Sequence, residues 1–199
     1  MKRLSYLVVI LMLVSACSQH RKLVNTTQLD AWEQHRQQIS KLHDWKITGR
    51  VGLYTDDEAW PGEIHWRQFG EQYDMRIIAS LGAGTMRVHS VEGGVVLEHS
   101  SNPAPHFSPD PEALLKQQLG WQLPIRHLRY WMAGLPSPLV SYTGPLDINT
   151  EGQLNSLKQS GWLIQYKRYV KTAGVSLPAK VLMEHPELSI KIVIRKWQI

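Results

Sequence analysis

One cysteine stands in 199 residues, so no disulfide can tie the chain to itself. Phenylalanine is nearly missing too, with two Phe against eight Trp and seven Tyr. Most rings therefore carry a polar handle, which suits a half-wet wall or a membrane interface as well as a dry core. No block of like charges, internal repeat or low-complexity stretch occurs. There is no HExxH, and the nine His lack ligand spacing, so no metal is expected. There is no GxSxG elbow, and carboxylate pairs such as Asp56-Asp57 sit where a turn uses Asp for its own backbone. Gly82-Ala83-Gly84 lacks the Lys-Ser/Thr end of a phosphate loop, and an alternating strand pattern, Met86-Arg87-Val88-His89, follows it. These absences leave no catalytic residue, no cofactor and no nucleotide site: the chain does not read as an enzyme.

What is present begins at the amino terminus. Lys2 and Arg3 precede an apolar run, Leu4 to Val14, of signal-peptide length and too short to span a bilayer. "LVSAC", Leu13 to Cys17, resembles the bacterial lipobox. That resemblance implies lipidation at Cys17 and stable anchoring by several acyl chains. Ser18 follows, not the Asp that marks inner-membrane retention in enteric-type lipoproteins. The resemblance thus implies an outer-membrane location, anchored at Cys17, with the domain facing the periplasm. The expected organisation is a signal peptide at 1–16, a lipidated polar tether at 17–27 and one domain at 28–199. Beyond residue 16 the net charge falls from +5 to +3, too mild to argue for nucleic acid.

Thr27 reads as the N-cap of an amphipathic helix with Leu29, Trp32, Ile39 and Leu42 on one face. From Trp45 the period changes to two. Trp45, Ile47, Gly49, Val51 and Leu53 alternate with Lys46, Thr48, Arg50, Gly52 and Tyr54. Short strands with turns between them continue to Leu97, the pattern of an antiparallel meander or barrel. A Pro-rich loop follows. Two helices then start at Asp110-Pro111 and at Pro124, ended by Gly120 and Gly134. Strands return through "WLIQYKRYV", "LPAKVLME" and "LSIKIVIRKWQI". The fold class is α+β, mostly β: a curved, open antiparallel sheet whose apolar face needs a cover from about three helices.

Several segments resemble the LolB family taken in order: "YDMRIIASLG" at 73–82, "WMAGLP" at 131–136, "GQLNSLKQSGWLIQYKRY" at 152–169, "LPAKVLM" at 177–183 and "IKIVIRKW" at 190–197. The resemblance implies an incomplete antiparallel barrel around a hydrophobic cavity. It implies an outer-membrane lipoprotein that takes acylated cargo lipoproteins from a periplasmic LolA-like carrier. The cargo is then inserted into the membrane without nucleotide hydrolysis. Partners are the carrier, the cargo and outer-membrane phospholipid, with no nucleic acid, and a monomer is expected. The family's exposed loop Leu maps onto Leu81, followed by Gly82, with Ser80 where the family usually has Pro. Cavity-wall positions, taken from the inward face, are Ile47, Val51, Ile64, Trp66, Met75, Ile77, Met86, Val88, Leu97, Ile164, Ile192 and Ile194. Lid positions are Leu115, Leu128 and Met132. Arg50, Arg67, Arg76 and Arg87 offer charge near the mouth for an acidic carrier. The alternative is a lipid-anchored structural or assembly lipoprotein that binds a protein partner with its curved sheet.

Overall fold

The computed structural model describes residues 26–82, 84–120 and 122–199, without the side chains of Leu81 and Pro103. The expected signal peptide, Cys17 and the tether up to residue 25 lie outside the described residues. Helix α1 spans Thr26–Ile39 and leads into five strands: β1 Asp44–Tyr54, β2 Ala59–Phe69, β3 Gln72–Ala79, β4 Thr85–Val91 and β5 Gly94–His99. Strand β6, Asn102–Ser108, precedes α2, Pro111–Leu119, and α3, Ile125–Ala133. The chain then returns as β7 Asp147–Ile148, β8 Leu154–Gln159, β9 Trp162–Thr172, β10 Val175–His185 and β11 Leu188–Gln198. All strands join one antiparallel sheet in the order β6-β5-β4-β3-β2-β1-β11-β10-β9-β8-β7. Its edges, β6 and β7, do not pair, so the barrel stays open.

Alternation in the sequence becomes two faces in space. In β1, Trp45, Ile47, Val51 and Leu53 are buried while Lys46, Arg50 and Tyr54 are exposed. The same register runs through β2 and β11, where Ile64, Trp66, Ile192, Ile194 and Trp197 point inward. Trp45 stands at the centre of an aromatic group, with ring centroids 5.1 Å from Trp66 and 5.2 Å from Trp197. Each partner's indole N–H has an acceptor, Gln68 Oε1 at 3.1 Å for Trp66 and the Pro178 carbonyl at 2.7 Å for Trp197. These buried rings therefore keep their polar handles satisfied.

Helix α2 begins as its sequence predicts. Asp110 Oδ1 accepts from the Glu112 and Ala113 amides, Pro111 follows, and Gly120 closes the helix with φ of 83°. Helix α1 differs from its reading in two ways. It already includes Thr26 and Thr27, and Leu29 is exposed. The buried stripe is Trp32, His35 and Ile39, at i, i+3 and i+7, so a histidine joins the apolar face. The Pro-rich segment expected to be loop is strand β6. It pairs with β5 on one side only, through Val95–Ser108, Val96–Phe107 and Leu97–His106. Proline is tolerated there because an edge strand needs no donor on its free side.

Candidate functional site

The concave face of the sheet and the helices over it form one continuous apolar cluster. Of the expected wall and lid residues, all but Ile77 and Met86 are buried to 4% exposure or less. They come from β1, β2, β3, β4, β5, β9 and β11, with Leu115 on α2 and Leu128 and Met132 on α3. Ile77 and Met86 are half-buried, packed on the same cluster and directly opposite each other in the β3–β4 ladder. They are the last inward pair before the turn that carries Leu81.

That turn is a single 3-10 turn, Ser80–Gly82, with Gly82 exposed and at φ of 75°. A hydrogen bond from the Ala79 amide to the Gly84 carbonyl, 2.9 Å, closes it. Trp60, on the inner face of β2 and half-buried, belongs to the same rim. Strand β4 follows where a phosphate loop would need a helix. The backbone therefore presents Leu81 at the edge of the apolar interior.

A second opening was not foreseen. Between α1 and the segment 134–146 runs a cleft of about 820 Å³, lined by Trp32, Tyr130, Leu135, Pro138, Leu139 and Tyr142 among others. This is within the size of small-molecule sites. None of the expected wall residues lines it. An adjoining recess of about 270 Å³ shares Ser40, Tyr130 and Leu135 with it and reaches Trp45 and Ala133. Leu139, Val140 and Tyr142 expose apolar surface beside the cleft, Leu139 at 55%.

The segment that walls this cleft is held from below. Gln159, 1% exposed at the end of β8, accepts from the Trp131 indole N–H at 2.7 Å and the Ser137 amide at 2.9 Å. Its own amide donates to the Ser137 and Val140 carbonyls at 2.8 and 2.7 Å. The Tyr166 hydroxyl donates to the Trp131 carbonyl at 3.0 Å, joining α3 to β9. His127 stacks on Trp131 and lies 2.8 Å from the Ser137 hydroxyl. Desolvation, helped by Arg126, lowers the His127 pKa. Across the cleft, α1 presses His35 edge-on toward Tyr169, and His35 Nε2 has no hydrogen-bond partner. Burial lowers its pKa as well. Nothing in the sequence around Gln159 shows its clamp, since its partners lie 19 to 28 residues away along the chain.

The four arginines expected near the mouth lie instead on the outer face of the sheet, because they occupy the polar parity of β1 to β4. Arg87 is engaged by Asp74 at 2.8 Å and Glu98 at 3.4 Å. That contact holds the Asp74 carboxyl below its ordinary range. Among the described residues no three His, Cys, Asp or Glu side chains come together as a metal site.

Comparison with known proteins agrees with this architecture. The profile of the family described as "Outer membrane lipoprotein LolB" matches residues 43–197. An outer-membrane lipoprotein LolB of Pseudomonas paraeruginosa (strain DSM 24068 / PA7) is 37% identical over 191 residues, covering 94% of this chain and 92% of its own. One from Pseudomonas putida (strain GB-1) is 38% identical over 167 residues, 84% of this chain and 80% of its own. Among solved structures, a DUF1329 family protein from Desulfovibrio piger ATCC 29098 has a TM-score of 0.52 at 7% identity, covering 86% of this chain and 91% of that one. That likeness is one of fold alone.

Proposed function

This chain belongs to the LolB family of outer-membrane lipoproteins, and from that premise we propose that it receives acylated lipoproteins from a soluble periplasmic carrier and passes them to the outer membrane. It is a lipoprotein of the Lol pathway and not an enzyme. Cys17 is the anchor, the polar residues after it are the tether, and the domain faces the periplasm. One observation carries the reading: an apolar concave sheet is covered by three short helices, and a cleft of about 820 Å³ opens between one helix and a rim loop, with Trp32, Leu135 and Leu139 set beside Glu33 and Arg36.

The physical logic is that of a hand-over. An acyl chain of about 15 methylenes costs on the order of 12 kcal/mol to expose to water, at roughly 0.8 kcal/mol per CH₂. Cargo must therefore move from apolar site to apolar site. The step from a protein site to a bilayer is downhill, so no nucleotide is required. The cargo's acyl chains enter by the cleft, where Leu139, Val140 and Tyr142 meet the rim of the carrier. They rest first in the cleft and its adjoining recess, and reach the wall formed by β1 to β5, β9 and β11 as Leu115, Leu128 and Met132 lift from it with their helices. Met75, Met86 and Met132 adapt that wall to chains of different shape. Leu81, at the far rim beside Ile77 and Met86, touches the leaflet and couples release to membrane contact.

The test is direct. Protein starting at residue 18 is titrated with a fluorescent fatty acid. Saturable binding, displaced by unlabelled acylated peptide, is expected. Absence of saturable binding removes the receptor reading and favours a lipoprotein that acts by binding a protein partner.

A further inference from the structure

The outer face of the sheet, across β11, β1, β2 and β3, carries a segregated charge. Seven cations and three carboxylates point outward from these four strands. The excess of four exceeds the net +3 of the entire chain beyond residue 16. The carboxylates are already occupied. Asp44 accepts from the Gly70 amide at 3.1 Å, Glu63 pairs with Arg195 at 2.9 Å, and Asp74 pairs with Arg87 at 2.8 Å. Among the described residues Lys46, Arg50, Arg67, Arg76, Lys191 and Lys196 have no ion pair, and all six are exposed.

The arrangement is costly as it stands. Lys46 lies directly opposite Arg67, and Arg76 directly opposite Arg87. Like charges paired across strands destabilise a sheet. A β-bulge adds to the density. Thr48 faces Lys196 and Gly49 faces Ile194, so Arg195 is the extra residue, and both it and Lys196 turn outward. Apolar groups are set among the cations. Phe69 is 63% exposed, with Tyr54 and Ile78 on the same face, and the Tyr54 ring folds back over Gly52. The acidic β1–β2 tip, Asp56 to Glu58, bounds the surface at one end. Cations interspersed with single aromatic and aliphatic side chains are the composition of a membrane-interface surface.

We propose that this outer sheet face rests on the anionic headgroups of the bilayer to which the protein is anchored, and so fixes the orientation of the domain. The proposal rests on the reading of Cys17 as the lipid anchor, which holds the face beside a bilayer at high local concentration. The face lies behind the sheet from the helix-covered side, which leaves the cleft free for the carrier.

The experiment uses the full acylated protein, added to preformed vesicles of phosphatidylcholine alone or with phosphatidylglycerol. Lysines are acetylated briefly and the rates are read by mass spectrometry. Lys46, Lys191 and Lys196 should react roughly 5-fold more slowly on the anionic vesicles, with the protection lost at about 0.5 M salt. Lys116 on α2 and Lys171 on β9 should be unaffected. The double substitution Arg67→Gln and Arg76→Gln should remove the protection at Lys46. Equal rates on both vesicles overturn the proposal. So does equal protection on neutral lipid, or protection that appears only when an acidic protein is added. Flotation on neutral vesicles reports the anchor separately. If the protein fails to float there, the anchor reading falls, and flotation on anionic vesicles still decides the face.

Discussion

Gln159 makes four hydrogen bonds at the end of β8, and every one of them goes to α3 or to the rim loop after it. Gln159→Leu keeps most of the volume and strands the Trp131 indole N–H and the Ser137 amide. An unsatisfied buried donor costs about 1–3 kcal/mol. Chemical denaturation should therefore show a loss of about 3 kcal/mol, and the acyl probe should bind more weakly as the cleft wall loosens. Unchanged stability would mean that the loop is held by its prolines alone. His35 gives a pH dependence with a definite sign. Burial lowers its folded pKa, so the unfolded chain takes up the proton first as pH falls. The stability it contributes is complete above the unfolded pKa of roughly 6.5 and is lost as pH falls through the folded one. His127 acts in the same direction. The protection factors of the α1 amides, taken against the intrinsic exchange rate at each pH, should fall between pH 7.5 and 5.5, and His35→Phe should flatten the difference. At this scale the inward apolar residues were legible from alternation alone, since burial of every second side chain leaves a period of two. Gln159 and His35 were not, because their roles come from partners far along the chain.

Helix ends are written in local sequence, whereas edge strands and helix docking are not. Asp110-Pro111 and the two terminal glycines set α2 and α3 by local chemistry, so the sequence around them was sufficient. Strand β6 was hidden because proline argues against a strand until it is known that the strand is an edge. The docking of α1 was hidden as well. A Cβ added to Gly152 would meet the Ala31 backbone at 2.3 Å, and Gly152 sits at φ of 73°. Contact and dihedral both exclude a side chain there. Gln28 Nε2, donating to the Ile148 carbonyl at 3.3 Å, fastens the same corner. Gly152→Ala should lift the start of α1 from the β7–β8 turn. Exchange protection in α1 should fall at least several-fold while that in β1 and β2 holds. If α1 and the central strands loosen equally, the turn is not a local latch.

For the whole molecule the functional question is whether uptake and delivery are separable. The cleft beside α1 and the turn at Leu81 belong to different parts of the rim, so a change at one should leave the other intact. Leu81→Glu should retain acyl-probe binding within about twofold. It should lose most lipoprotein delivery to outer-membrane vesicles, since a charge at the leaflet opposes insertion. Equal loss of both activities would show that the turn serves folding or uptake instead. The position of the turn beside the Ile77–Met86 pair was legible from the strand pattern. The cleft was not, since it depends on how a loop between α3 and β7 returns over α1.

The unpaired edges β6 and β7 have one more consequence. A closed barrel has a girth set by its strand number and its stagger. Here the seam is open, so the circumference is an adjustable length. Because β6 and β7 share no ladder, a change of curvature would break no pairing between neighbouring strands. If acyl chains enter as proposed, the widening that a bulkier cargo demands is shared along the sheet and not concentrated at one seam.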